Sequence, residues 1–222
     1  MIRAFDTRGA AMQAAAERIA EALKAGISER GTAFAALSGG TTPAPAYEAL
    51  AAMPLDWARV TFLVVDERFV PLSDEASNEA LLRRALAPAL AAGASVLPLY
   101  SDNVSIDEAA ARANALYADK PIDIALVGMG GDGHTASWFP RASVLEAALT
   151  DARSVIAINA PGAYGTPERL TLTRAGMAQA EAIILLITGA EKRALLEDRA
   201  RARLPVDELF DLPAPIETIW AP

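Results

Sequence analysis

Ala33-Phe34-Ala35-Ala36-Leu37-Ser38-Gly39-Gly40-Thr41-Thr42-Pro43 decides the fold. Its first part is short and apolar at every position, as in a strand buried on both faces. Ser38-Gly39-Gly40 then turns the chain. Pro43 suits the first turn of a helix, where its missing N–H has no partner to lose. A strand leading through a glycine turn into a helix is the repeating step of an α/β protein.

The same alternation continues in both directions. Upstream, Met12, Ala15, Ala16, Ile19, Leu23 and Ile27 recur at helical spacing, which predicts an amphipathic helix over 9–30. Downstream, the helix opened by Pro43 runs to about Ala52. Further strands are expected at 60–65, 96–99, 122–127, 154–158, 169–173, 183–188 and 217–220. Helices are expected at 78–86, 106–117 and from about Glu191, with loops after the second strand, at 91–94 and at 161–167. The pattern predicts one α/β domain over 1–222, a doubly wound, mostly parallel open sheet with helices on both faces.

Composition limits the function. Of 222 residues, 53% are hydrophobic and 22% charged, which suits a folded chain and not a disordered one. There is no cysteine, hence no thiolate chemistry and no disulfide framework, in keeping with a reducing, cytoplasmic setting. No secretory signal is read at the N-terminus, and the apolar run 182–187 is too short to cross a bilayer. With a net charge of −8 and no basic cluster, neither nucleic acid nor membrane is an expected partner. A local site on an acidic protein can still be positive, so an anionic small molecule is not excluded.

In open parallel sheets, ligands bind beyond the carboxyl ends of the strands. Four polar motifs are expected there. Ser38-Gly39-Gly40-Thr41 precedes a helix N-terminus, so it is either a phosphate cradle or an ordinary strand-to-helix turn. Asp66-Glu67-Arg68 is either a solvated rim or a place where Arg68 grips a phosphate through its planar fork. Ser77-Asn78 follows at a helix start, where capping is the plain reading of those residues and ligand contact the alternative.

The third motif is Gly128-Met129-Gly130-Gly131-Asp132-Gly133-His134-Thr135. It holds a formal Gly-x-Gly-x-x-Gly, but Pro140 truncates any following helix and the motif lies in mid-chain, so a dinucleotide site is not inferred. His134 is the sole histidine, and an imidazole is the natural general base near neutral pH. Asp132 either fixes its tautomer or touches the substrate. The fourth motif comprises Arg169 and Lys192, the latter after Thr188-Gly189. Each is a surface charge or an anion contact. No clustered His and carboxylate ligands suggest a metal or other cofactor, and no Gly-x-Ser-x-Gly elbow suggests a serine nucleophile.

Together these stretches resemble the 6-phosphogluconolactonase family. Ser38 to Pro43 is similar to its Ser-Gly-Gly-Ser/Thr-x-Pro loop. Asp66-Glu67-Arg68-Phe69-Val70-Pro71 with Ser77-Asn78 is similar to its second signature, and Gly128 to Pro140 to its most specific one. Pro167-Glu168-Arg169-Leu170-Thr171-Leu172-Thr173, Thr188-Gly189-Ala190-Glu191-Lys192 and Trp220-Ala221-Pro222 keep the order. Trp138 departs from the usual leucine, which should alter packing near the site and not the chemistry.

The resemblance implies the fold of sugar-phosphate isomerases and deaminases. It also implies metal-free hydrolysis of 6-phospho-D-glucono-1,5-lactone in the oxidative pentose phosphate pathway. His134 would be the base and Arg68, Arg169 and Lys192 would surround the phosphate or the carboxylate formed. The substrate partner would be a phosphorylated sugar lactone and the assembly a monomer or weak homo-oligomer. Two rivals remain. Amino-sugar phosphate deaminases and isomerases carry tyrosine where Arg68 stands and a glutamate after the histidine motif, which Thr135 to Pro140 does not supply. A non-enzymatic sugar-phosphate sensor would need a DNA-binding element, for which this chain has no room.

Overall fold

The computed structural model describes residues 2–140, 145–161, 166–198 and 200–222. Strands are β1 (Ile2–Ala4), β2 (Ala33–Leu37), β3 (Val60–Val64), β4 (Asp66–Arg68), β5 (Ser95–Leu97), β6 (Ile124–Val127), β7 (Val155–Asn159), β8 (Glu168–Leu172), β9 (Ile183–Thr188) and β10 (Ile216–Ala221). Helices are α1 (Arg8–Arg30), α2 (Ala44–Ala51), α3 (Asn78–Ala85), α4 (Ala87–Ala91), α5 (Ile106–Tyr117), α6 (Leu145–Thr150), α7 (Arg174–Met177) and α8 (Ala190–Glu197). Short 3-10 turns occupy Trp57–Arg59 and Pro205–Asp211.

Seven strands form one sheet in the order β1-β10-β9-β6-β2-β3-β5, every pair parallel. Leu37, Phe62, Leu63, Leu126 and Ile187 are fully buried in it. Burying each such side chain contributes about 1.5–3 kcal/mol relative to leaving it in water. Helix α1 lies across β2, β6, β9 and β10. It meets the sheet through Ala11, Ala15 and Ala16, all at 0% exposure, and small side chains let the two elements close up. Thr7 Oγ1 caps its first turn by accepting the Ala10 N–H at 3.1 Å.

The parallel sheet with its helices is the expected architecture. Parts of the fold depart from the expectation: β1 adds an edge strand, and α4 carries helix past Pro88, where a stop was expected. β7 and β8 do not enter the parallel sheet; with β4 they form a separate antiparallel sheet, ordered β4-β8-β7. β4 was expected as loop. Its residues are charged, but Asp66, Glu67 and Arg68 pair in register with Thr171, Leu170 and Arg169. The strand expected at 122–127 begins two residues late for a visible reason. Ile122 makes only an isolated bridge to Ala180. Asp123 turns its carboxylate to the Phe34 N–H at 2.7 Å and to the Arg30 guanidinium, tying the end of α1 to the sheet. The loop expected at 161–167 lies largely outside the described residues.

Candidate active site

The chain leaves β2 toward β3 and β5 on one side, then returns to β6 on the other. The crevice between the carboxyl ends of β2 and β6 is therefore the topological switch point, where open α/β sheets take their ligands. A cavity of about 250 Å³ sits there. The loop after β2 contributes Ser38, Gly39 and Gly40; β4 contributes Asp66 and Arg68, and α3 contributes Asn78. His134, Arg169 and Lys192 line it as well. Two residues expected in the site are not on its wall. Thr41 points to solvent, with Thr42 lining the cavity in its place, and Asp132 stands behind His134.

The histidine loop is a tight turn closed by two backbone bonds, Gly130 N–H to His134 O at 2.8 Å and Gly133 N–H to Gly130 O at 3.1 Å. The Gly-x-Gly-x-x-Gly spacing thus opens a turn and no helix. Asp132 Oδ1 accepts the backbone N–H of His134 at 3.1 Å and lies 2.6 Å from its Nδ1. Burial pushes the Asp132 carboxyl up, but the His134 N–H and ring outweigh it and hold it below the usual carboxylate range. An ionised Asp132 assigns the proton to Nδ1 and leaves Nε2 with its lone pair.

Gly130 has no spare room for a side chain. A Cβ there would lie 2.2 Å from Nδ1 and Cε1 of His134 and 2.7 Å from Asp132 Oδ1. Gly130→Ala is therefore expected to cut kcat by roughly 10²-fold, the scale of an ångström's misplacement of a reacting group. The atoms it would meet are side-chain ends outside the core, so the melting temperature should stay near wild type. Steady-state kinetics beside a thermal melt check this; wild-type kcat in the variant would contradict it.

The opposite wall is cationic. Arg68 and Arg169 are cross-strand partners in β4 and β8. Like charges directly opposed destabilise a strand pair, so an anion between them is the natural complement. Arg68 Nη1 donates to Ala76 O at 2.7 Å and Asn78 Oδ1 at 2.8 Å. Arg169 is 3% exposed, with Nε donating to Thr166 O at 2.9 Å. Burial pushes its pKa down, Asp66 raises it, and Arg68 lowers it further. Burial likewise lowers the Lys192 ammonium from its ordinary value. Lys192 follows Gly189, whose carbonyl accepts the Trp220 indole N–H at 2.8 Å and whose N–H donates to Ala221 O at 2.9 Å.

Two buried polar atoms have no hydrogen-bond partner among the described residues, Ser38 Oγ and Arg68 Nε. Both belong to side chains on this cavity. Buried polar groups are otherwise paired, so these two are open to a ligand. Gly39 lets the loop pass close to Asn78, since a Cβ there would lie 1.9 Å from Asn78 Oδ1. Among the described residues, no three His, Asp or Glu side chains gather as metal ligands.

Three further residues shape the site: Phe139 on its wall, and Ser137 and Trp138 behind it. Phe139 stands with its ring 4.7 Å from the His134 ring and 5.6 Å beneath the Arg169 guanidinium carbon, so one side chain spaces base from cation. Ser137 donates to Asp66 Oδ2 at 2.6 Å. Trp138 is fully buried and donates from Nε1 to Leu172 O at 2.8 Å, joining the histidine loop to β8. For Ser137 and Phe139, position within the motif is the only signal the sequence carries; for Trp138 the expected change of packing is met by its burial against β8.

Cations facing a histidine at the switch point of a parallel sheet make up the site of an α/β enzyme, with charge suited to a small anion. Comparison with known proteins gives the particular family. The family of glucosamine-6-phosphate isomerases/6-phosphogluconolactonase matches residues 6–220. A 6-phosphogluconolactonase of Caulobacter vibrioides is 41% identical, covering 99% of this chain and 97% of its own. One of Mesorhizobium japonicum is 41% identical over 99% of this chain and 94% of its own. The crystal structure of a 6-phosphogluconolactonase from Shewanella baltica superposes with a TM-score of 0.92 at 29% identity, over 100% of this chain and 97% of that one. The chain belongs to this family, and within it groups with the 6-phosphogluconolactonases, as its motifs led us to expect.

Proposed function

We propose that this chain hydrolyses 6-phospho-D-glucono-1,5-lactone to 6-phospho-D-gluconate, in the cytoplasm and in the oxidative pentose phosphate pathway, with His134 as general base. One observation carries the mechanism: His134, held through Nδ1 by Asp132, shares a cavity with Arg68, Arg169 and Lys192. The relatives' names support the substrate.

Water attacks the lactone carbonyl carbon while His134 Nε2 takes its proton, a step worth roughly 10²–10⁴-fold in rate. The carbonyl oxygen gains negative charge. Arg169, spaced from His134 by the Phe139 ring, is the group we assign to meet it. Collapse breaks the bond from that carbon to the ring oxygen, which receives the proton from the imidazolium. The products are a free hydroxyl and a carboxylic acid, which gives its remaining proton to solvent and leaves as the carboxylate. Arg68, Lys192 and the unpaired N–H groups of the loop after β2 take the distant phosphate.

An NMR time course of fresh lactone, with and without the protein, tests the activity. Hydrolysis must exceed the spontaneous rate; equal rates would refute it. The same assay separates an amino-sugar deaminase, which would release ammonia from an amino-sugar phosphate. Among the described residues lining the cavity the only carboxylate is Asp66, already engaged by Ser137, which disfavours that alternative. Turnover is expected to be unchanged by a strong chelator, since every step above uses protein side chains and water. Loss of activity in EDTA, restored by a divalent ion, would count against this mechanism.

A further inference from the structure

Glu67 takes no part in the chemistry above, yet it is 0% exposed. Its Oε1 accepts the backbone N–H of Arg68 at 2.8 Å and of Asn78 at 2.7 Å. Its Oε2 accepts the Glu79 N–H at 2.8 Å and the Ser77 hydroxyl at 3.0 Å. An ionised carboxylate is an acceptor only, and these four donors fill it. Every donor lies in β4, at the start of α3 or at its cap. Those are the segments that carry Arg68 and Asn78 to the cavity.

The connection extends further. Asn78 Nδ2 donates to Asp66 O at 2.6 Å and Asn78 Oδ1 accepts from Arg68. Gly39, in the loop after β2, is pressed against the same Asn78 side chain. Ser77 caps the helix by accepting the Ala80 N–H at 3.1 Å. A shift of α3 relative to β4 would therefore move Arg68, Asn78 and the loop after β2 together.

We propose that Glu67 is a positioning residue, whose carboxylate locks β4 to the N-terminus of α3 and so holds Arg68 and Asn78 where they receive the substrate's phosphate. This rests on the phosphate role given to Arg68 above. The step is one of geometry, not of proton transfer, and Glu67 touches no reacting atom.

The test is a double-mutant cycle with Glu67→Gln and Arg68→Ala, read as KM and kcat on the phosphorylated and the unphosphorylated lactone. The glutamine amide turns an N–H against donors whichever way it faces. In the wild-type background Glu67→Gln is expected to raise KM for the phosphorylated lactone about tenfold or more, with kcat within about threefold and the unphosphorylated lactone unaffected. In the Arg68→Ala background the same change should cost less than about threefold, because it acts through a residue already gone. Equal cost in both backgrounds, or a loss in kcat alone, overturns the proposal, whatever the thermal melt shows. If instead Arg68→Ala slows both lactones equally, the phosphate assignment fails, while additivity of the cycle still judges Glu67. Should Glu67→Gln not fold, Glu67→Asp, which draws the carboxylate back from its donors by one methylene, enters the same cycle under the same criterion.

Discussion

His134→Ala should lower kcat by roughly 10²–10⁴-fold, the scale of a lost general base, with the fold retained. The chain has no second histidine to take over. The side chain is 34% exposed and its bonds run to Asp132, so removing it opens no cavity in the core. Circular dichroism, the thermal melt and phosphate-ligand binding should remain near wild type. Residual rate would come from the cations and the orientation of the bound lactone. A variant that kept most of its turnover over the spontaneous background would make His134 structural and remove the mechanism.

Arg68→Ala has the next largest expected effect, and it is selective. A charge-assisted contact of this kind is worth roughly 1.5–3 kcal/mol, or about one to two decades in kcat/KM. Binding energy at the phosphate can hold the distant carbonyl near the base, so the phosphorylated lactone should surpass unphosphorylated gluconolactone in kcat/KM, not merely in affinity. Losing Arg68 should narrow that gap, because the variant gains less from the phosphate. Arg68 Nε, buried without a partner, is the atom with most to gain from an anion. The measurement is kcat/KM for both substrates in wild type and variant. Equal slowing of both would withdraw the assignment.

The sequence and the structure agree where one signal suffices. A buried parallel strand is apolar at every position, so β2, β3 and β9 were legible to within a residue. Motifs at strand ends gave the cavity wall because the sheet itself brings those ends together. What stayed hidden depends on partners distant in sequence. β4 is three charged residues, and only pairing with β8 makes it a strand. β1 is three residues on a sheet edge, too short to show a period. Thr41 was expected at the ligand because it follows the glycines, but the turn carries it outward and Thr42 inward. Glu67 reads as one charge in a polar triplet; its burial follows from α3 closing over it.

The place of β10 bears on how the protein is made. It lies between β9 and β1, so the first strand of the chain has no neighbour until one of the last is synthesised. The Gly189 turn that presents Lys192 waits on the same strand, since Trp220 and Ala221 hold it from both sides. During translation the segments that carry the histidine loop and Arg68 leave the ribosome well before β10, because the chain emerges N-terminus first. Closing the edge then joins residues separated by nearly the whole sequence, the slowest kind of contact to form. A chain truncated before residue 216 should therefore leave β1 and the lysine turn open to protease, and both should become protected together in the chain that carries the final strand.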